Sequence, residues 1–374
     1  KTIGFFALIQ FPYTWKFLWS PLLDRFSVPG FGRRRGWMLL TQIGLLLTIG
    51  FMGGLDPKEN IWPILWLATL LAFLSGTQDI AVDAFRREIL CDNELGLGNA
   101  VHVNAYRIAG LIPGSLSLIL ADRLPWYEVF WITGAFMIPG MVMAWLVSEP
   151  LVKGVPKTLR QAVTEPFREF MDRQGWRGAL LVLGFIFLYK LGDSLSTALA
   201  TPFYLDMGFT KTDIGLIAKH AGLWPAVIGA LLGGLWMVRL GINRALWLFG
   251  VVQLVSIFGF VWLSAHGHFA SIGAGERLAL AFVIGLEALG VGLGTAAFVA
   301  FIARSTHPAY TATQMALFTS LAAVPRTFVN ASAGWLVEIL GWTSFFWLCA
   351  ALAVPGMLLL FKVAPWNVRG ASPG

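Results

Sequence analysis

Charged side chains inside otherwise apolar runs carry the chemistry of this sequence. Lys16, Asp79, Asp83, Arg107, Lys190, Asp193, Lys219, Glu287 and Arg326 each interrupt a long hydrophobic stretch. A charge at the centre of a bilayer costs about 2.5–3.5 kcal/mol on insertion scales. Left unpaired, the set would exceed the ~5–15 kcal/mol net stability of a domain. These groups must neutralise one another or line a water-filled path. Asp79 and Asp83 are four residues apart and share a helix face. Two close carboxylates resist double ionisation and hold one proton between them, which is what a proton-coupling site requires. The competing role for Asp83 is an ion pair with Arg86, Arg87 or a nearby arginine. Lys190 and Asp193, three apart, form either an intrahelical ion pair or a pair that opens when a solute or a proton competes for one partner. Lys219, followed by His220, and Glu287 have no local partner, so Lys219–Glu287 and Lys190–Glu287 are both open as cross-helix pairs. Arg107 and Arg326 suit a carboxylate- or phosphate-bearing solute, because guanidinium grips such groups bidentately; neutralising Asp79 or Glu287 is the alternative. Gln78, Asn104, Tyr106, Thr313 and Gln314 can add neutral hydrogen bonds, or serve as interhelical contacts. Lys16 lies near the end of its run, where its stem can snorkel.

The elements that position these residues are transmembrane helices. The chain has 374 residues, 57% hydrophobic and only 13% charged, against roughly 45–50% and 25% in soluble domains. Eleven stretches can cross a ~30 Å hydrocarbon core as helices of about 20 residues: 3–19, 37–55, 61–84, 101–120, 129–147, 179–203, 214–238, 245–265, 278–302, 311–337 and 342–361. Seventeen Trp and 29 Phe suit interfacial anchoring and lipid contact. Most of the 27 Lys and Arg fall in alternate loops: Arg25, Arg33–Arg35, Arg86, Arg87, segment 148–178, Arg239, Arg244, Arg304, Lys362 and Arg369. The other loops hold Lys1, Lys58, Arg123, Lys211 and Arg277. The positive-inside rule puts the first set and the C-terminus in the cytoplasm. The basic residues read as topology signals and not as a nucleic-acid surface. Cys91 and Cys349 lie in different segments with no metal-ligand spacing, so no disulfide, metal or cofactor is expected. Gly290-Val-Gly-Leu-Gly294 sits in an apolar helix with no strand before it, which points to close helix packing and not to a phosphate loop.

An internal repeat organises the spans. Trp126–Trp131 (WYEVFW, then IPG at 138–140) matches Trp342–Trp347 (WTSFFW, then VPG at 354–356) at a constant offset. Arg107 and Arg326 lie upstream in the two copies. Lys1-Thr-Ile-Gly matches Lys211-Thr-Asp-Ile-Gly with one residue inserted. The second copy has a span, 179–203, before that point; the first has none, and the sequence has no initiating Met. The repeat therefore predicts a further helix preceding Lys1, giving six plus six. The domains expected are an N-terminal bundle over 1–147, a linker over 148–178, a six-helix bundle over 179–362 and a tail over 363–374. Within the linker Leu159, Val163, Phe167, Phe170 and Met171 fall on one helical face, so it should lie on the membrane surface, divided by Pro166.

Parallel six-helix repeats joined by a long linker resemble the major facilitator arrangement. The turn SPLLDRF at 20–26, followed by GRRRG at 32–36, resembles that superfamily's signature loop. There Asp24, Arg25, Arg33, Arg34 and Arg35 would make charge contacts that hold one access state. Segment 238–244 is a weaker echo in the second half. More closely, the chain resembles the AmpG muropeptide permeases of Gram-negative inner membranes. The resemblance runs through KTIGFF at 1–6, KFLWSPLLDR at 16–25, GRRRGW at 32–37, QDI at 78–80 with Asp83-Ala84, and VPKTL at 155–159. It continues in LYKLGD at 188–193, GTAAFVA at 294–300, ATQ at 312–314, AGW at 333–335 and VPGMLLL at 354–360. It covers nearly the whole chain, and the family supplies the further first helix.

The resemblance implies proton-driven import of N-acetylglucosaminyl-1,6-anhydro-N-acetylmuramic acid and its peptides, which feeds cell-wall recycling and β-lactamase induction. On this reading the protein is a monomeric, multi-pass, alternating-access symporter. Asp79 and Asp83 carry the proton. Lys16, Gln78, Arg107, Lys190, Asp193, Lys219, Glu287, Gln314 and Arg326 bind solute or gate. Pro113 and Pro325 beside the two arginines, and Pro225 interrupting its span, would kink helices and reshape the cavity. A carrier for acetyl-CoA or another anionic metabolite and a non-transporting muropeptide sensor are the rivals. A membrane enzyme is disfavoured, since no nucleophile has a base beside it and no residues have metal spacing.

Overall fold

A computed structural model describes residues 11–152, 154–324 and 329–367. Lipid offers no hydrogen bonds to a backbone, so an apolar chain must satisfy its amides internally, as helices do. In chain order the main helices are α1 (Ser20–Arg25), α2 (Arg34–Met52), α3 (Ile61–Ile89), α4 (Leu95–Ala109), α5 (Trp126–Ala135), α6 (Ile138–Leu146), α7 (Leu159–Leu188), α8 (Leu191–Ala198), α9 (Lys219–Ala265), α10 (Ala274–Arg304), α11 (Thr311–Val324) and α12 (Ala333–Val363).

Eight segments among the described residues are long and apolar enough to span a membrane, fewer than the eleven expected. Part of the difference lies in residues outside those described, within the expected spans 3–19 and 311–337, and part at single glycines. Gly175, Gly241 and Gly341 adopt φ of 67°, 76° and 72° inside α7, α9 and α12. Each turns the chain without a loop: Gly175 joins the linker to the expected span 179–203, Gly241 joins 214–238 to 245–265, and Gly341 joins the end of 311–337 to 342–361. That left-handed conformation is open to glycine and costly for residues with a Cβ. Pro166 does not divide the linker helix: it lies within α7, and the break falls at Gly175. Pro225 likewise lies inside α9, preceded by a π-helical turn at Ile214–Ala218. Pro113 does mark an irregularity, the π-helical turn Ile112–Leu116. The expected turn at 20–26 is largely the helix α1, and α3 runs past its expected end to include Arg86 and Arg87. Lys1 and the start of the first expected span lie outside the described residues.

The chain forms two compact units. The first comprises Lys1–Cys91, Ile108–Arg173 and Ser305–Ser320; the second comprises Asp92–Arg107, Gln174–Arg304 and Leu321–Gly374. In the first, Leu23, Met38, Ile80, Ala84 and Phe85 pack with Ala144, Ala312 and Ala316. Small side chains let the backbones approach closely. In the second, an aromatic core of Phe203, Phe260, Phe345 and Phe346 is assembled with ring centroids 4.8–6.3 Å apart. The Gly290–Gly294 run packs α10 against α9. A Cβ on Gly292 would collide with the Ala226 carbonyl, and one on Gly294 with the Gln253 side chain. Close packing, and not phosphate binding, explains that motif.

Candidate functional site

In the first unit the signature segment builds a buried charge network. Arg34 is fully buried and donates to Asp24 at 2.7 Å, to Glu88 at 2.6 Å and to the Leu23 carbonyl at 2.9 Å. Arg33 adds a 3.2 Å ion pair to Glu88. Burial, then the like charge of Arg34, holds the Arg33 guanidinium below its usual range, against the pull of Glu88 and Asp24. Asp24 also accepts from the Ala312 and Thr313 amides at 3.2 and 2.9 Å and from the Thr313 hydroxyl at 2.7 Å. It thus caps the positive N-terminus of α11, whose first amides have no partner within the helix. Glu149 does the same for α2, accepting from the Arg34 and Arg35 amides at 2.7 and 3.1 Å. Arg35 caps the end of α6 through the Ala144 and Trp145 carbonyls. Arg25 stands outside the network, over the ring of Phe26.

The same end of α11 is fastened to the linker part of α7. Gln314 donates to the Pro166 carbonyl at 2.9 Å and to Glu169 at 2.7 Å, and accepts from the His307 amide at 2.6 Å. Both ends of the amide expected to serve the solute thus have protein partners. Tyr310 donates to Glu165 at 2.6 Å. Burial, then that bond, pushes its hydroxyl up to about 12, so it remains a donor. Phe170 packs on Phe318, while Leu159, Val163 and Phe167 of the expected apolar face remain exposed.

Lys16 does not snorkel. It is only 2% exposed and pairs with Asp79, with its ammonium 4.9 Å from the centre of the Tyr13 ring. Asp83 pairs instead with Arg86 at 2.7 Å. Each carboxylate of the expected proton-coupling pair thus has its own cation. Gln78 accepts from the Thr41 hydroxyl.

The second unit gathers a different set of charges. Lys190 lies 2.7 Å from Asp193, an ion pair whose angles fall outside hydrogen-bond geometry. Glu287, 8% exposed on α10, lies within electrostatic reach of Asp193, Lys190 and Arg107. Of the two cross-helix pairs left open, Lys190–Glu287 is therefore nearer the observed arrangement. Lys219 and His220 are exposed at the start of α9, and Lys219 does not join the group. Several buried polar atoms here find no hydrogen-bond partner: Arg107 Nη1, Asp193 Oδ1 and both amide atoms of Asn104. Nearby, Tyr189, Asp193, Gln253 and Met357 line a small pocket. Arg326 lies outside the described residues.

Buried charge networks in two helical units call for comparison with known membrane proteins. The description Major Facilitator Superfamily matches residues 4–326. The chain belongs to that superfamily. An uncharacterized protein of Haemophilus influenzae is 51% identical over 98% of this chain and 87% of its own length. The anhydromuropeptide permease of Escherichia coli is 43% identical over 96% of this chain and 72% of its own length. The resemblance to the AmpG permeases is thus a relationship along almost the entire sequence. Among solved structures, a proton:xylose symporter bound to 6-bromo-6-deoxy-D-glucose matches with a TM-score of 0.71, covering 97% of this chain and 86% of that one. At 12% identity this likeness concerns the fold alone. The major facilitator chain described here is therefore a multi-pass membrane transporter and not an enzyme.

Sequence reasoning missed Glu88 and Glu149. Both lie beside expected span ends, where an acid reads as an ordinary loop charge. A signal was present in Arg33–Arg35: three adjacent arginines cannot be buried without acids to meet them, and Asp24 alone is too few.

Proposed function

We propose that this transporter imports anhydro-muropeptides across a bacterial inner membrane by alternating access, driven by protons, with its C-terminus in the cytoplasm. The observation that carries the reading is the 43% identity to an anhydromuropeptide permease over 96% of the chain. The site chemistry supports it. Such solutes bear a carboxylate, hydroxyls and acetamides, and the second unit offers Arg107, Lys190, Asn104 and Asp193 with unused hydrogen-bonding capacity. We assign Lys16–Asp79 to gating, because a salt bridge at a part-exposed carboxylate can open to a competing charge. Asp24, Arg33, Arg34 and Arg35 hold one access state through the caps they make. We take the working protein as a monomer in lipid.

Uptake of radiolabelled anhydro-disaccharide by proteoliposomes of the full-length protein tests the cargo. Competition by unlabelled disaccharide and indifference to acetyl-CoA are expected. Competition by CoA esters alone would replace the cargo with an acyl-CoA. Binding without uptake would make the protein a sensor.

A further inference from the structure

We propose that the linker part of α7 is a docking surface for anionic lipid of the cytoplasmic leaflet. The side of the membrane comes from the orientation proposed above; the identity of the solute does not enter. The ground is how the structure divides one amphipathic helix. One side is taken by α11. Ala162 and Phe170 are buried, and Phe170 packs on Phe318 with ring centroids 5.1 Å apart. Gln314 and Tyr310 donate to Glu169 and Glu165 at 2.7 and 2.6 Å. Arg173 adds bonds of 2.6 Å to Glu169 and 2.8 Å to the Ser305 carbonyl. These contacts fix the roll of the helix about its axis and turn a second stripe outward. Leu159, Val163 and Phe167, four residues apart, stand 46%, 44% and 45% exposed. Residues so spaced lie one above another on a helix, and among the described residues nothing covers the strip they form. Phe167 also lines an apolar pocket with Pro166, Phe170, Leu317 and Phe318, so the strip leads into a recess suited to hydrocarbon.

Charge names the partner. The acids Glu165 and Glu169 are bonded toward α11. Of the fully exposed charges that α11 does not engage, Lys157, Arg160 and Arg168 are basic and Asp172 is acidic. Arg168 and Asp172 lie 3.7 Å apart, 83% and 74% exposed, a pairing worth little in water. The outer face is therefore apolar along its strip and basic beside it, the make-up of a helix that lies in the interface of an anionic bilayer. The chain itself brings the strip to that interface. At Gly175 α7 turns with φ of 67° and runs on to Leu188, within a segment long and apolar enough to span a membrane. Trp176, beside the turn, is 65% exposed, as interfacial anchors are. Lipid on one side and α11 on the other thus grip the same helix, and docking steadies the element to which the start of α11 is tied.

The test places the full-length protein, a single molecule to each disc, in nanodiscs of phosphatidylcholine alone or with about 30% phosphatidylglycerol. A nitroxide is attached at Val163→Cys in a Cys91→Ser background, since Cys91 is exposed and Cys349 is buried. Electron paramagnetic resonance reads its access to oxygen, which dissolves in lipid, and to a water-soluble nickel complex. In the anionic disc the nickel complex should reach this label severalfold less than a reference label at Asp172→Cys, while oxygen reaches it freely. In the neutral disc that protection should shrink, since each basic residue near an anionic surface adds about fivefold to the attraction. Combining Lys157→Gln, Arg160→Gln and Arg168→Gln should make the anionic disc behave as the neutral one. Equal access of nickel to the two labels in the anionic disc would overturn the inference. Protection that is the same in both lipids, or that survives removal of the three charges, would do so as well. Shielding from nickel and oxygen alike would mean that protein and not lipid covers the strip, which also overturns it.

Discussion

The two units each bury a group of charges, and they treat them in opposite ways. In the first, Arg34 is shared between Asp24 and Glu88, Asp24 in addition caps α11, and Glu149 caps α2. Each arginine of this network finds acceptors, while Glu88 keeps one buried oxygen, Oε2, without a hydrogen-bond partner. In the second, Arg107, Asn104 and Asp193 all retain buried atoms with no partner. A satisfied network locks geometry, whereas an unsatisfied one is open to ligands, since an unmet buried polar group costs about 1–3 kcal/mol that a ligand can recover. On the function proposed, the difference separates a conformational latch from a binding site within one chain. Lys16–Asp79 falls between them, a buried lysine on a carboxylate that is a quarter exposed.

Substitutions can break or sharpen this contrast. Arg34→Ala should have the largest effect, because it strands Asp24 and Glu88 in a buried place. Breaking one partner of such a set costs about 3–5 kcal/mol, and thermal unfolding in detergent should register the loss; a wild-type melting curve would mean that the network is not a latch. Asp79→Asn should lower both accumulation and counterflow exchange more than tenfold, while adding Lys16→Gln should recover the folded state. Loss of accumulation with exchange intact would place the proton at Asp79. Gln314→Ala, which orphans Glu169 and the His307 amide, should cost about 1–3 kcal/mol, read in the same melting experiment. Glu287→Gln should change stability least, by about 1 kcal/mol or less, since among the described residues no hydrogen bond to Glu287 would be broken by an amide. Unfolding as severe as that of Arg34→Ala would erase the distinction between the two groups.

Much of this was legible in the sequence, and the reasons are physical. Low charge and long apolar runs force a helical membrane fold, and the offset of WYEVFW from WTSFFW exposes the repeat. Spacing puts the pairs Lys190–Asp193 and Asp83–Arg86 among the open alternatives, because residues three apart on a helix are neighbours, and both are observed. Long-range partners follow no such rule. Asp79 meets Lys16 and Arg34 meets Glu88 across 63 and 54 residues, which only packing decides. Gln314 looked like a solute ligand because polar residues in spans are rare; its partners on α7 depend on where the linker lies. The glycine turns at Gly175, Gly241 and Gly341 were also hidden, since glycine is equally at home in a packed helix.

The most direct test of the transport mechanism is accumulation of radiolabelled anhydro-disaccharide in proteoliposomes with the pH gradient imposed and the membrane potential clamped at zero. We expect accumulation above the external concentration while the outside is acidic, and its collapse to equilibrium on adding a protonophore. Uptake that only equilibrates, with or without the gradient, would contradict proton coupling and leave a facilitator in its place.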